Sequence, residues 1–379
     1  MTIILVAGAR PNFIKIAPLM ASLGSRGGLR PFLVHTGQHY DERMSELFFR
    51  QLGIPRPDVN LGVGGGTHAS QTAAVMAAFE PIVHEQKPWA VLVVGDVNST
   101  IACGLVAAKL GVKLIHVEAG LRSFDRAMPE EINRILTDSI SDLLFCTERR
   151  AVRNLMHEGV PPHKIHLVGN VMIDTLRANL AQAQASPILE QVRVTSKQYA
   201  LLTLHRPANV DDTAVLTRLL DALHVIQSGM PVVFPVHPRT REALSREGIG
   251  RLVAGMPNLR LIEPAGYLDF LKLTAHARVV LTDSGGVQEE TTILRVPCLT
   301  LRNTTERPVT ADIGSNRVVG TEPARILAAY RQILAGPGEV GQTPPLWDGQ
   351  AADRIADILH RELGPRPTVH VKGNLTPAA

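Results

Sequence analysis

Carboxylates follow two apolar runs of the sequence, at points where buried strands are expected to end. Asp96 comes two residues after the run 90–94, and Glu118 directly follows the run 114–117. Glu130 is the first glutamate of a Pro-Glu-Glu run shortly afterwards. Carboxylates that converge on one crevice can divide acid and base roles between them. The simpler interpretations are a helix N-cap for Asp96 and, for one glutamate, favourable charge at a helix N-terminus.

A glycine-containing turn in the second half of the chain indicates a phosphate site. The run Thr-Asp-Ser-Gly-Gly follows an apolar run and begins a predicted helix, with Ser284, Gly285 and Gly286 at its start. Two glycines let backbone N–H groups approach a phosphate there, and Glu290 could reach ribose hydroxyls. A nucleotide is indicated. The dinucleotide and Walker A patterns are absent, so no motif supports NAD or ATP.

Basic side chains at three further predicted turns could complete such a site. Arg10 and Lys15 lie beside the turn between the first strand and the first helix and favour an anion, unless they are plain solvated cations. His205 and His237 each follow a predicted strand, and we assign His237 to substrate binding. A structural role, in which the histidine only makes hydrogen bonds within the fold, explains each of them equally well. The fourteen histidines show no metal-ligand spacing, so we expect no metal.

The elements that position these residues alternate between short β-branched runs and helix-period segments. The continuous apolar run 90–94 is typical of a strand buried on both faces, as in a parallel sheet covered by helices. The alternation breaks over about 178–197, and a second set of strands follows. We predict an α/β protein with two doubly wound halves. The predicted parts are an N-terminal domain 1–177 with the carboxylates, a nucleotide-binding domain 198–350, a helix 351–363 that returns to the first domain, and a disordered tail 364–379.

Composition limits the class of protein. The 379 residues are 45% apolar and 20% charged, as in ordinary globular chains. The net charge of +4 is spread without long like-charge runs and aromatics are 4%, so we expect no nucleic-acid partner. Three distant cysteines argue against disulfides and zinc. We find no signal peptide and no membrane segment, and we expect a cytoplasmic protein.

Nine motifs, taken together and in this order, resemble those of the non-hydrolysing UDP-N-acetylglucosamine 2-epimerases. They cover most of the chain, from about residue 3 to about residue 363. The motifs are GARPNFIKIAPL, TGQH, GDVNST, HVEAGLRS, MPEEINR, the GN at 169–170, PVHPRT, LTDSGGVQEE and TERP. The resemblance implies a GT-B architecture, in which two Rossmann-like domains enclose the active site in the cleft between them. It also implies a homodimer and no NAD or other cofactor.

The resemblance further implies roles for individual residues. The catalytic residues would be Asp96, Glu118, Glu130 and His205, and the binding residues would be Arg10, Lys15, Phe270, Ser284, Gly285, Gly286, Glu290 and Arg307. Phe270 would lie by the base, Lys15 near the sugar-phosphate end and Arg307 near the phosphates. The reaction would invert C2 of a UDP-sugar, UDP-N-acetylglucosamine giving UDP-N-acetylmannosamine. Because the C2 proton is not next to a carbonyl and no NAD motif is present, elimination of UDP and re-addition to a glycal is favoured.

Departures from the family pattern leave the sugar open. The run His-Arg-Pro-Ala at 205–208 stands where many members have His-Arg-Arg-Glu, and such variants also resemble epimerases of UDP-2,3-diacetamido-glucuronic acid. Arg126 could meet a uronate carboxylate or be plain surface charge. Gln38 and His39 match part of an activator site of some bacterial members, but Pro207 and the glycines 64–66 replace charged positions there, which argues against allosteric activation.

Other functions compatible with the same residues are a GT-B glycosyltransferase, a hydrolysing epimerase and a non-catalytic nucleotide-sugar sensor. A glycosyltransferase would need a groove for its acceptor. The carboxylates at neighbouring strand ends fit proton transfer better than they fit that function.

Overall fold

The computed structural model describes residues 1–37, 49–336 and 341–363. The predictions for Gln38, His39, the tail 364–379 and the side chain of Arg10 lie outside what it describes.

Strands and helices alternate along the described residues. The strands are β1 (Thr2–Ala7), β2 (Arg30–His35), β3 (Val59–Asn60), β4 (Ala90–Val94), β5 (Lys113–Ala119), β6 (Leu143–Cys146), β7 (Ile165–Leu167), β8 (Ala200–Thr203), β9 (Val232–Pro235), β10 (Leu259–Ile262), β11 (Val279–Thr282), β12 (Cys298–Thr300) and β13 (Asn316–Val318). The helices are α1 (Arg10–Gly24), α2 (His68–Gln86), α3 (Asn98–Lys109), α4 (Pro129–Ile140), α5 (Arg149–His157), α6 (Val171–Gln184), α7 (Ile188–Gln191), α8 (Pro207–Val210), α9 (Thr213–Gly229), α10 (Pro238–Leu244), α11 (Ile249–Ala254), α12 (Tyr267–His276), α13 (Gly285–Leu294), α14 (Pro308–Asp312), α15 (Pro323–Ala335) and α16 (Ala351–Leu363).

The first sheet is parallel, with the order β3-β2-β1-β4-β5-β6-β7. Its strands are buried on both faces because alternate side chains enter two separate cores. Leu5 and Leu92 pack under α1, α6 and α16, whereas Val6 and Val93 pack under α2 and α3. This arrangement explains why the strand sequences are continuously apolar.

The second sheet is also parallel, with the order β10-β9-β8-β11-β12-β13. Leu202 and Leu281 pack against α9 and α15 on one face. Leu201 and Val280 pack against α12 and α13 on the other. In both sheets the strand order reverses beside the first strand, which is where doubly wound folds bind ligands. The predicted fold class, two Rossmann-like α/β domains, is confirmed.

Two segments join the halves of the molecule on one side. Helix α6 packs against α1 of the first half and against α12 and α13 of the second. Residue 177, the predicted end of the first domain, lies within this helix. Helix α16 returns to the first half, where Ile355 and Leu359 enter its core. Asp174 of α6 accepts hydrogen bonds from the first backbone amides of α16, at 3.1 and 2.7 Å. Among the described helices, none combines the length and apolar character that crossing a membrane requires.

Candidate active site

Glu118 lies at a distortion of β5 where the first half of the molecule meets the second, a boundary lined by Glu118 and Arg307 that we call the cleft. The pairing of β5 with β6 shifts register between Val117 and Ala119, and Glu118 itself has a φ of 75°. A non-glycine residue rarely adopts this conformation, and bulges at strand ends redirect side chains beside active sites. The buried Glu118 carboxylate pairs with Lys15 Nζ through Oε2 and with Arg307 Nη2 through Oε1. Both oxygens of the carboxylate therefore face cations.

Gly95 makes room for this ion pair. It has a φ of 69°, and a Cβ at this position would lie 2.9 Å from Lys15 Nζ. Asn12 connects the turn after β1 to the same region, since its side-chain oxygen accepts from Ala9 N at 2.9 Å and its Nδ2 donates to Val94 O at 3.0 Å. The sequence features Gly-Ala-Arg-Pro-Asn and Gly-Asp are thereby parts of one structure.

Arg307 connects the two halves of the molecule across the cleft. It belongs to the second half, yet it reaches Glu118 on the first, and its Nε lies 2.7 Å from Oε1 of Glu289. Burial and the nearby Glu118 carboxylate raise the pKa of Glu289, although the Arg307 charge opposes that rise. Arg307 Nη1 is buried and has no hydrogen-bond acceptor among the described residues. A buried donor of this kind suits an anionic ligand.

Asp96 follows β4 and forms an ion pair with Arg134 of α4. The Asp96 side chain keeps 23% of its surface exposed. Burial would raise the pKa of Asp96, but Arg134, Lys15 and Arg307 outweigh it and lower this pKa below its usual range. Asp96 is therefore held as a carboxylate at the cleft surface.

The two glutamates at the start of α4 differ in their environment. Glu131 is buried, pairs with Arg134 at 2.6 Å, and accepts hydrogen bonds from the backbone amides of Ser123 and Phe124, both at 2.9 Å. Glu130 is half-buried and forms no ion pair with any described residue. Glu131 therefore fixes the preceding loop, whereas Glu130 is available to act on a ligand.

The predicted phosphate turn lies at the start of α13 in the second half. Ser284 is the N-cap residue, and Gly285 begins the helix. A Cβ on Gly285 would lie 2.6 Å from Oε1 of Glu306, and a Cβ on Gly286 would lie 3.0 Å from the Cε of Met172. Glycine is required at 285 because the buried Glu306 carboxylate occupies the space that a side chain would need.

His205 is anchored by the buried Asp283, one residue before the phosphate turn. His205 Nδ1 lies 2.9 Å from Asp283 Oδ1, and the backbone amides of His205 and Arg206 donate to the same carboxylate. Burial would raise the pKa of Asp283, but the His205 ring and these amides outweigh it and lower the pKa to about 2. The His205 side chain is 43% exposed, so its ring reaches solvent.

The remaining predicted residues lie at the periphery. The ring of His237 is 6.3 Å from that of His205, and its Nδ1 accepts from Arg239 N at 3.3 Å, so this exposed residue caps α10. Phe270 is half-buried on α12 beside the core of the second half. Glu290 is buried, and burial together with this carboxylate raises the pKa of Tyr267.

The structure thus joins some predicted residues directly and leaves others apart. Lys15, Glu118 and Arg307 form one ion-pair cluster, and His205 is tied to the phosphate turn. No described contact joins His237 or Phe270 to Glu118. Sequence reasoning missed the charged residues that hold the predicted ones in place. These are Glu131, Arg134, Asp283, Glu289, Arg302 and Glu306.

The fold and site define a class of protein. Two doubly wound domains face each other in a GT-B architecture, with carboxylates from one opposite a cationic side chain and a glycine-containing helix start from the other. Residues 21–360 match the family model of UDP-N-acetylglucosamine 2-epimerase. The chain belongs to this family.

Individual relatives cover nearly the whole chain. It is 40% identical over 366 residues to a UDP-N-acetylglucosamine 2-epimerase of Methanococcus maripaludis, spanning 95% of this chain and 99% of that protein. It is 44% identical over 363 residues to the UDP-2,3-diacetamido-2,3-dideoxy-D-glucuronate 2-epimerase of Pseudomonas aeruginosa, again spanning 95% and 99%. A similar solved structure is that of the Methanocaldococcus jannaschii UDP-GlcNAc 2-epimerase in complex with UDP-GlcNAc and UDP. Its TM-score is 0.89 at 39% identity, covering 95% of this chain and 100% of that one.

Proposed function

We propose that the protein interconverts UDP-N-acetylglucosamine and UDP-N-acetylmannosamine by inverting the configuration at C2. The observation that supports this most directly is the meeting of Glu118 with Arg307 across the cleft. In this pair a carboxylate that could transfer a proton lies beside a cation suited to a diphosphate. The substrate would lie between the domains 1–177 and 198–350, with helix 351–363 returning to the first of them.

The chemistry balances without a redox partner. A carboxylate takes the C2 proton while UDP leaves from C1 with the C1–O electron pair, which gives a C1=C2 glycal. UDP then re-adds to C1, and a carboxylic acid returns a proton to C2 on the opposite face. Each step is reversible and leaves the sugar's oxidation state unchanged. We therefore propose no NAD and no metal as cofactor.

The leaving diphosphate carries the charge that must be stabilised. We assign this to Arg307, Arg10, Lys15 and the backbone amides at 284–286, because preorganised donors aimed at developing charge are effective in a cleft that excludes water. The free Nη1 of Arg307 supports the assignment. His205, oriented by Asp283, lies beside the same helix start and we place it near the phosphates.

Proton transfer falls to Asp96, Glu118 and Glu130. The first two follow neighbouring strands, and Glu130 begins the helix that supplies Arg134 to Asp96. Glu290 is assigned to the ribose, and Phe270 and His237 to the uridine side of the site.

A second substrate is suggested by one relative. Identity to the diacetamido-glucuronate epimerase, 44%, is comparable to the 40% and 45% to two Methanococcus maripaludis relatives, so UDP-2,3-diacetamido-glucuronate is the alternative sugar. Arg126 is exposed in the loop before α4, where it could meet the uronate carboxylate. The same C2 chemistry applies to both sugars.

We also propose that the protein is a cytoplasmic homodimer. Ile132 and Leu136 lie one turn apart on α4 and keep 47% and 48% of their surfaces exposed. A large apolar pair on an outer helix face is a surface that a second copy could cover. Sedimentation of the wild type against Ile132→Glu tests the dimer: the wild type should sediment as a dimer and the variant as a monomer.

The reaction is tested by proton NMR of UDP-N-acetylglucosamine with the protein in deuterated water, without added NAD or metal. An anomeric signal of UDP-N-acetylmannosamine should grow while C2 takes up deuterium. The diacetamido-uronate nucleotide is run in parallel. If neither sugar exchanges, the epimerase proposal is wrong, and transfer to an acceptor or sensing without turnover becomes the better hypothesis.

Variants connect the activity to the carboxylates. Asp96→Asn, Glu118→Gln and Glu130→Gln should each lower turnover at least about a hundredfold, the scale of a lost acid or base. Glu80→Gln, on the exposed side of α2, makes the same chemical change away from the cleft and should leave turnover unchanged. Rates like those of the wild type in all three site variants would contradict the assignment.

A further inference from the structure

His116 occupies an unusual position behind the proposed catalytic carboxylates. It lies in the middle of β5, and its ring is completely buried. Its Nδ1 is 2.6 Å from Oδ1 of Asp138, and its Nε2 is 2.8 Å from the carbonyl oxygen of Gly95. Neither nitrogen faces the cleft, so the ring cannot contact a substrate.

The hydrogen-bond partners determine the charge of this ring. Both acceptors, a carboxylate and a carbonyl, need a donor, but a neutral imidazole has only one N–H. A neutral His116 would leave a lone pair facing an oxygen in a fully buried contact, which is costly. The alternative is a protonated Asp138. That is disfavoured because the other carboxylate oxygen, Oδ2, lies 2.7 Å from Arg122 Nη1 and accepts from Gly120 N at 3.0 Å.

The surrounding charges agree with an ionised pair. Arg122 is paired in turn with Glu158 at 2.6 Å, so positive and negative groups alternate from His116 outwards. The thiol of Cys146 also lies near Asp138.

The pair connects the two turns that present the carboxylates of the cleft. On one side His116 binds the carbonyl of Gly95, the residue before Asp96, and Gly95 N donates to Val117 O at 3.1 Å. On the other side Asp138 binds the amide of Gly120, two residues after Glu118. Both turns are therefore held from behind by one ion pair.

We propose that His116 is an imidazolium at neutral pH and that, with Asp138, it is a positioning pair that fixes Asp96 and Glu118 relative to each other. The charge of His116 is independent of the proposed epimerisation, whereas the positioning role rests on that proposed function. Small displacements of reacting groups are expensive in rate, and a charged donor holds a carbonyl more firmly than a neutral one.

The charge is tested on the wild-type protein labelled with ¹⁵N-histidine. The His116 ring is assigned through bonds to its own backbone, and its nitrogen shifts are followed from about pH 6 to about pH 8, the range in which free histidines titrate. Two protonated ring nitrogens throughout are expected. A neutral tautomer of His116 at pH 7 would overturn the proposal, whatever the enzyme's activity.

The positioning role is tested with two variants and a matched control. His116→Gln keeps an amide donor but loses the charge, and Asp138→Asn removes the counter-charge. Each should lower kcat about tenfold to a hundredfold while the Kd for UDP, measured by calorimetry, stays within about twofold. His166→Gln, on the outer strand β7 where the ring Nε2 finds no partner in the described part of the chain, should change neither.

Three outcomes separate the ideas. If kcat is unchanged in both site variants, the positioning role is wrong. If a variant loses UDP binding as well, its lower kcat no longer reports positioning, and the other variant together with the NMR result decides. If the wild type is inert toward both UDP-sugars, the epimerase function and the positioning role fail, while the imidazolium is still decided by its nitrogen shifts.

Discussion

Glu148 should make the protein less stable as the pH rises through neutrality. The residue is the N-cap of α5, two residues after the end of β6; it is buried, and its Oε2 has no hydrogen-bond partner among the described residues. Burial is the main cause that raises its pKa from 4.5 to about 7, with Glu289 adding to the rise and Arg307 opposing it. The carboxyl of Glu148 is therefore neutral in the folded protein under conditions in which it is ionised in the unfolded chain.

The size and pH range of this effect follow from the two pKa values. A group whose pKa is higher in the folded state binds more protons there, so stability falls as pH rises between the two values. The loss begins near pH 4.5 and is complete above about pH 7. The total is about 3 kcal/mol, since one pKa unit is worth about 1.4 kcal/mol. Glu148→Gln keeps the neutral shape and removes the titration.

Urea unfolding at two pH values measures this difference. At pH about 4.5 the variant and the wild type should have nearly equal free energies of unfolding, and at pH about 8 the variant should be more stable by about 3 kcal/mol. Glu85→Gln, exposed near the end of α2, is the control for the chemical change itself. A variant whose advantage is the same at both pH values would refute the reasoning, because titration of Glu148 could not then be its origin.

Three further substitutions, one of them with a matched control, test other parts of the structure. Arg307→Lys should lower kcat/KM about a hundredfold, because one ammonium cannot bridge Glu118 and Glu289 as the guanidinium does; steady-state kinetics measures this. Gly120→Ala should lower the free energy of unfolding by about 3 kcal/mol or more, since φ is 79° and the new Cβ would lie 2.5 Å from a backbone oxygen. The control Gly111→Ala, at a φ of 69° with open space around it, should cost about 1 kcal/mol. Asp283→Asn should lower the free energy of unfolding by about 2 kcal/mol at neutral pH. Because the pKa of Asp283 is lowered to about 2 in the folded protein, this difference should disappear as the pH falls from about 4 through about 2. Unfolding measured as a function of pH checks it.

The fold could be predicted because its strands are buried on both faces. A run such as 90–94 has few alternatives to a central parallel strand, and the alternation with helices then implies a doubly wound sheet. The end of the first domain is less clearly marked in the sequence. Helix α6 continues past residue 177 to Gln184. Its later residues are mostly polar and lie at the surface, and polar residues without strong periodicity give little signal of a helix in the sequence.

The candidate site could be predicted only where local pattern determines position. Asp96 and Glu118 follow neighbouring parallel strands, whose carboxyl ends share one edge of a sheet, so their proximity followed from topology. The pairing of Glu118 with Arg307 joins residues 189 positions apart in two domains, and no local pattern encodes it. Arg134 offered a weak signal, since it lies three residues after Glu131 on one helix, the spacing of an ion pair.

The return of α16 to the first half has a consequence for synthesis of the chain. Ala351, Ile355 and Leu359 cover the same core as Ile16 and Leu19 of the first helix. The first half leaves the ribosome first but is among the last parts to finish folding. Its apolar face stays uncovered until residues more than three hundred positions later have been synthesised. A chain that ends before residue 351 would expose that face, and premature termination should yield an aggregating product and not a folded first domain.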